Sequence, residues 1–154
     1  MEFENLVDKY FGKLETQYGF KKVNAQTQRH EYSIDFENLT TYVSVNYEFG
    51  STPWIVIGDI KNPLLNGSSL EWLLIELGVE KMPTVEEAFE KKHFSKEELD
   101  SILERKGQQL FIYAVDLLQG NFKIVPKLQR RGKDFAEECE KYMASTSRKK
   151  PKTR

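Results

Sequence analysis

An amphipathic helix is predicted at the start of the chain. Apolar residues recur there at Phe3, Leu6, Val7, Tyr10, Phe11 and Leu14. This spacing of three and four residues places all of them on one face of a helix. Gly19 follows, and glycine readily adopts the left-handed conformation that ends a helix. We expect the helix to end near Tyr18 and to bury this apolar stripe.

Strands are predicted between Phe20 and Ile60, where the period of the pattern changes to two. Apolar and polar residues alternate along segments 29–36 and 41–49, and segment 54–60 is rich in isoleucine. Such alternation is typical of antiparallel strands with one buried and one solvated face. The polar link at 37–40 has the length of a hairpin turn, and segment 19–23 reads as a weaker strand. The pattern predicts a meander of about four strands, with His30 on its apolar face.

The second half of the chain carries helix signals. Three helix starts are marked by a hydroxyl residue followed three positions later by glutamate: Ser68 with Glu71, Thr84 with Glu87, and Ser95 with Glu98. In a capping box these two side chains satisfy the free amides of the helix N-terminus. The helix after Ser95 is expected to be long, with Gly107 as a point where it bends or breaks. A turn at Gly120 then precedes Pro126, which suits the first position of a last helix.

Together these elements predict an α+β fold. We expect an N-terminal helix, an antiparallel sheet of about four strands, and a helical C-terminal half packed on one sheet face. Residues 1–144 are expected to form a single domain. Residues 145–154 are polar and basic, so we expect a disordered tail there.

Composition and charge argue against a nucleic-acid-binding protein, a disulfide-bonded protein and a membrane protein. The chain has 154 residues, a formal net charge of −1 and one cysteine, Cys139. The near-zero charge gives no overall field that would attract nucleic acid or an anionic membrane. A single cysteine allows no disulfide within the chain, which suits a reducing cytoplasm. No apolar run approaches the about 20 residues of a membrane span, so we expect a cytoplasmic protein that does not enter the membrane.

Residues that could carry chemistry are sparse. His30 and His93 are the two histidines, and neither lies at ligand spacing from a second histidine or a cysteine. Cys139 lies on the apolar side of a predicted helix between two glutamates, surroundings that disfavour a reactive thiolate and favour a core position. We therefore predict no catalytic residue, no metal site and no cofactor. A small carboxylate- or metal-dependent enzyme stays open as an alternative, because carboxylates are plentiful.

The solvated face of the predicted sheet is the preferred binding surface. It carries Glu31, Asp35, Tyr42, Asn46 and Glu48. An aromatic residue among carboxylates could contact a basic cleft on another protein, and opposite charges would speed association. An ordinary solvated face is the competing interpretation of these five residues.

A basic tail gives a second binding hypothesis. Its cationic residues are Arg148, Lys149, Lys150, Lys152 and Arg154. They could contact phosphate backbones, so a nucleic-acid-associated accessory protein is the alternative function. The rest of the chain lacks a basic face, which ranks this alternative below protein binding.

The order of elements and one late phrase carry a resemblance. The phrase consists of Tyr113, Ala114, Leu118, Gly120, Phe122, Pro126 and Leu128. With the helix and strands before it, from about Leu6 to Tyr142, it resembles a group of small bacterial α+β proteins, some of which look like immunity proteins of polymorphic toxin systems. Asn121 stands where that group usually has aspartate. The resemblance implies the fold, a non-catalytic inhibitor and a toxin-like enzyme as partner, and it identifies neither that partner nor an oligomeric state.

Overall fold

The computed structural model describes residues 2–149. Within that range the chain forms seven helices and one five-stranded sheet. The helices are α1 (Glu2–Phe11), α2 (Lys13–Tyr18), α3 (Leu70–Glu76), α4 (Val85–Phe89), α5 (Lys96–Tyr113), α6 (Val115–Leu118) and α7 (Val125–Lys149). The strands are β1 (Lys21–Gln28), β2 (Glu31–Glu37), β3 (Thr41–Glu48), β4 (Trp54–Asp59) and β5 (Gly67–Ser69). The α+β class is therefore confirmed.

The sheet is an antiparallel meander in the order β1-β2-β3-β4-β5. Strands β2, β3 and β4 match the predicted ones, whereas β1, predicted over 19–23, runs from Lys21 to Gln28. The fifth, β5, was not predicted, because a Gly-Ser-Ser segment has neither alternation nor β-branched residues to mark a strand. It pairs with residues 56–58 of β4, so the first half of β4 has no strand on that side.

The core lies between one face of the sheet and the helices. From α1 it takes Phe3, Val7 and Phe11, and from the sheet Ile34, Phe36, Val43, Val45, Ile55 and Ile57. Leu103 and Leu110 of α5 complete it from the helical side. Burial of a side chain of this size contributes about 1.5–3 kcal/mol to folding. The apolar residues of the strands and those of the helices thus pack together in one hydrophobic cluster.

Gly107 has a packing role and does not break its helix. Helix α5 continues through this position without a break, which corrects the prediction of a weak point. A Cβ atom added here would lie 2.6 Å from the carbonyl oxygen of Tyr10 in α1. Helices α1 and α5 therefore approach each other as closely as they do because this residue has no side chain.

The turn after α6 has the predicted glycine conformation. Gly120 has φ of +89°, which side chains rarely adopt, and the Asn121 side chain accepts a hydrogen bond from the Lys123 amide at 3.2 Å. Helix α7 begins at Val125, so Pro126 lies in its first turn. The helix extends to Lys149, five residues into the segment where we expected disorder. Residues 150–154 of the predicted tail lie outside the described part of the chain.

Three further local predictions need correction. The single helix predicted to end near Tyr18 is divided at Gly12 into α1 and α2. The N-cap of α3 is Ser69, whose hydroxyl accepts a hydrogen bond from the Trp72 amide at 3.2 Å, and not Ser68. His30 lies in the exposed turn between β1 and β2, where its ring contacts Phe49 edge-on, and so it is not on the buried face of a strand. The other two caps are as predicted, and Ser95 forms a complete capping box with Glu98.

Candidate functional site

The solvated side of the sheet forms a continuous polar surface, which we call the polar sheet face. Alternation and strand register place on it Asn24, Gln26 and Gln28 of β1, Glu31, Ser33, Asp35 and Glu37 of β2, Tyr42, Ser44, Asn46 and Glu48 of β3, and Trp54 of β4. All five residues predicted for partner binding lie on this face. The period-two pattern is sufficient to bring them together, because residues two apart on a strand share a side.

Asp35 is the centre of a hydrogen-bond network on this face. Its Oδ1 atom accepts a hydrogen bond from Ser44 Oγ at 2.6 Å, and its Oδ2 atom accepts one from Asn24 Nδ2 at 3.0 Å. Ser33 Oγ lies 3.1 Å from the same Oδ1 atom and 3.0 Å from Asn46 Oδ1, so its single proton serves one of the two at a time. The carboxylate of Asp35 is thus held in one orientation across three strands.

Tyr42 borders this network. Burial raises the pKa of its phenol, and the negative charge of Asp35 raises it further. The phenol consequently keeps its proton at neutral pH and can act as a hydrogen-bond donor. It adds an aromatic surface next to the fixed carboxylate, and tyrosine is enriched in protein interfaces.

Glu31 and Glu48 form a like-charge pair at the other end of the polar sheet face. Strand register places them directly opposite each other on β2 and β3, and both side chains are exposed. Like charges in this position destabilise a sheet. Within residues 2–149, neither of them, nor Asp35 or Glu37, forms an ion pair. The face therefore presents two exposed carboxylates without an ion pair among the described residues, those of Glu31 and Glu48.

A shallow depression lies beside this pair. It has a volume of about 250 Å³ and is lined by Glu31, Glu48, Gln26, Asn46 and Trp54, among others. Carboxylates, amides and one indole therefore converge there. Such a lining can accept hydrogen bonds from a lysine or arginine side chain while the indole contacts the apolar stem of that side chain.

A second depression, the tryptophan cleft, lies on the other side of Trp54. Its volume is about 480 Å³, and it is bordered by Trp54, Trp72, Glu71, Lys106 and Arg105, together with the segment 80–83 that follows α3. Both tryptophans are half-buried, so part of each indole remains accessible.

A buried ion pair forms one wall of the tryptophan cleft. Lys106 Nζ lies 2.9 Å from Glu71 Oε2, and the lysine side chain is 7% exposed. The other oxygen of Glu71 accepts the backbone N–H of Ile55 at 3.1 Å, at a point of β4 that β5 does not reach. The Glu71 carboxylate thus accepts the hydrogen bond that the backbone of a neighbouring strand would otherwise accept. Sequence reasoning missed Lys106, because a lysine within an amphipathic helix is ordinarily exposed.

Comparison with protein-family models, with curated proteins and with solved structures finds no match to this chain. The resemblance to immunity proteins stays a prediction. Function is therefore argued from the two surfaces themselves.

The remaining candidate residues lie apart from these surfaces. His93 is exposed, and Cys139 is half-buried on α7 instead of in the core as predicted. Within residues 2–149 no three side chains of His, Cys, Asp or Glu lie close enough to hold a metal ion, and no helix is long and apolar enough to cross a membrane. Of the basic tail, Arg148 and Lys149 end α7, while Lys150, Lys152 and Arg154 lie outside the described residues.

Proposed function

We propose that this protein is a non-catalytic cytoplasmic protein-binding domain and that its polar sheet face binds a partner with a basic surface. The observation that carries the proposal is the pairing of Glu31 with Glu48, which lie directly opposite each other and form no ion pair within residues 2–149. A like-charge pair costs stability in the isolated protein. A cationic partner would neutralise the two glutamates and so remove that cost. The pair therefore lowers the stability of the free protein and favours binding of the partner.

The arrangement of the face suits a rigid complex. Asp35 is oriented by hydrogen bonds from Ser44 and Asn24, so it loses little conformational freedom on binding. The exposed glutamates at the end of the face supply long-range attraction, which raises association rates by steering. In its most concrete form the protein is an immunity-type inhibitor, whose acidic face occludes the basic cleft of a toxin-like enzyme. The resemblance stated above supports that form, and the unpaired carboxylates support the basic character of the partner.

Affinity purification with charge-reversed variants tests the proposal. The tagged wild type, Glu31→Lys/Glu48→Lys, and a control variant, Glu137→Lys/Glu140→Lys, are used as baits in extracts of the source cells. The control changes the net charge equally, at exposed positions of α7. We expect a protein that is recovered with the wild type and the control and lost with the sheet variant. Equal recovery by all three baits would contradict binding through this face.

Nuclease treatment and truncation distinguish the alternative. If recovery depends on nucleic acid and on residues 148–154, while the sheet variant behaves like the wild type, the basic tail is the binding element. Survival of the complex after nuclease treatment, together with its loss at high salt, is the result that the proposal predicts. The partner identified in this way can then be tested for inhibition of its enzymatic activity.

A further inference from the structure

The tryptophan cleft has the size and lining of a small-molecule site. A volume of about 480 Å³ lies within the about 300–1,000 Å³ typical of ligand pockets. Trp54 and Trp72 contribute large flat apolar surfaces, and Leu74, Ile75 and Pro83 extend the apolar lining. Flat apolar walls of this kind favour a planar ligand.

The charged residues that line the tryptophan cleft favour an anionic ligand. Its lining includes three cations, Lys81, Arg105 and Lys106, and two carboxylates, Glu71 and Glu80, which leaves a net charge of +1. This sign is opposite to that of the neighbouring polar sheet face. The two surfaces are therefore suited to different ligands, although Trp54 borders both.

The two carboxylates are already engaged. Glu71 is paired with Lys106 and bonded to the Ile55 amide, and Glu80 accepts a hydrogen bond from Gln109 Nε2 at 2.9 Å. Arg105 and Lys81, in contrast, form no ion pair within residues 2–149. A guanidinium at the rim of an apolar cleft can bind a carboxylate with two parallel hydrogen bonds.

We propose that the tryptophan cleft binds a small aromatic carboxylate, with its ring against Trp54 and Trp72 and its carboxylate at Arg105 and Lys81. This site goes beyond the proposed protein-binding function, since it uses other residues and the opposite charge. The Glu71–Lys106 pair fixes this wall of the cleft by joining α3 to α5 and to β4.

The test uses 2-naphthoate as the probe and the full chain. Because the chain contains two tryptophans, its ¹⁵N–¹H spectrum has two indole N–H signals, which report directly on the cleft. We expect both signals to shift on titration with 2-naphthoate. The neutral amide of the same shape, 2-naphthamide, should bind at least about tenfold more weakly, because it lacks the charge. Trp54→Phe and Trp72→Phe assign the two signals.

Variants connect the binding to the proposed cations. Arg105→Gln/Lys81→Gln should weaken 2-naphthoate binding about tenfold or more, whereas Arg130→Gln/Lys133→Gln, on exposed positions of α7, should leave it unchanged. Both sets of residues are exposed, so folding is retained, which the rest of the spectrum verifies. No shift of either indole signal at millimolar 2-naphthoate would overturn the proposal. Equal binding of the acid and the amide, or an equal loss in both double variants, would also overturn it.

Discussion

The two faces of the same sheet differ in how their side chains are satisfied. On the core face, Ile34, Val45 and Ile57 are buried against helices and have no polar atoms to satisfy. On the polar sheet face, Asp35, Ser44 and Asn46 satisfy one another by hydrogen bonds, and the glutamates beyond them remain unpaired. The core face consists of closely packed apolar side chains, and the polar sheet face carries two like charges directly opposite each other.

This difference indicates where stability and binding are located. Apolar burial gives the largest single contributions to stability, while an exposed carboxylate contributes little. Substitutions on the core face should therefore destabilise the protein strongly, and substitutions among the unpaired carboxylates should change binding with little change in stability. Four predictions test this division, in order of decreasing effect on stability.

The largest effect is expected for Ile57→Ala. Ile57 is fully buried on the core face, and removing three carbons there leaves a cavity that costs about 2–5 kcal/mol. Val56→Ala, at the neighbouring half-buried position on the opposite face, is the control. Chemical denaturation should show a clearly smaller loss for Val56→Ala. Equal losses in the two variants would contradict the division between the faces.

A smaller effect is expected for Gly107→Ala, which tests the helix layer on the core face. The added methyl group would meet the Tyr10 carbonyl oxygen at 2.6 Å, so α1 and α5 must separate. We expect a loss of about 1–3 kcal/mol in unfolding free energy, even though alanine favours helices over glycine by about 1 kcal/mol. Gln108→Ala, at the next and exposed position of α5, is the control in thermal and chemical unfolding. A more stable Gly107→Ala variant would show that the two helices are not in close contact.

On the polar sheet face, Asp35→Ala should cost about 1–2 kcal/mol. The substitution removes the acceptor of Ser44, whose side chain is buried, and of Asn24. Asp35→Asn keeps one acceptor oxygen and should cost less. Chemical denaturation of the two variants measures the difference. An Asp35→Ala variant as stable as the wild type would mean that the network does not hold the face together.

A pH-dependent contribution to folding stability is expected from Glu76, at the edge of the helix layer. Glu76 of α3 accepts hydrogen bonds from Lys127 and Arg131 of α7, and these cations lower the pKa of its carboxyl. A carboxylate with a lowered pKa stabilises the folded state above the ordinary glutamate pKa of about 4.3, and this contribution is lost as the pH falls below that value. Glu76→Gln should lower the melting temperature at pH 7, and the difference should shrink as the pH falls through the lowered pKa of this carboxyl. Glu86→Gln, at an exposed position, should show no such dependence.

Much of the fold could be predicted from local patterns. Alternation from Tyr32 to Phe36 and the stripe of α1 fix which side of each element is buried. Strand β5 could not be predicted, because three small polar residues become a strand only by pairing with β4. The α3 cap was misplaced by one residue, since Ser68 has the capping-box spacing to Glu71, but the Glu71 side chain bonds to Ile55 instead.

The candidate site was predictable to a different extent on its two surfaces. The five partner-binding residues share a face by alternation alone, so their grouping followed from sequence. The position of Glu31 directly opposite Glu48 did not follow from sequence, because it depends on the register of β2 and β3. The tryptophan cleft depends on contacts of α3 with α5, and no local pattern predicts the Glu71–Lys106 pair that joins them, because its two residues are 35 positions apart in the chain.

The most direct test of the central claim is a paired measurement on Glu31→Gln/Glu48→Gln. Neutralising the two opposed carboxylates should raise the melting temperature slightly at low salt, because their repulsion is removed, and should slow association with the partner identified by affinity purification. The gain in stability should disappear at high salt. A variant that is less stable than the wild type and binds equally fast would contradict the account, since these carboxylates would then serve the fold and not a partner.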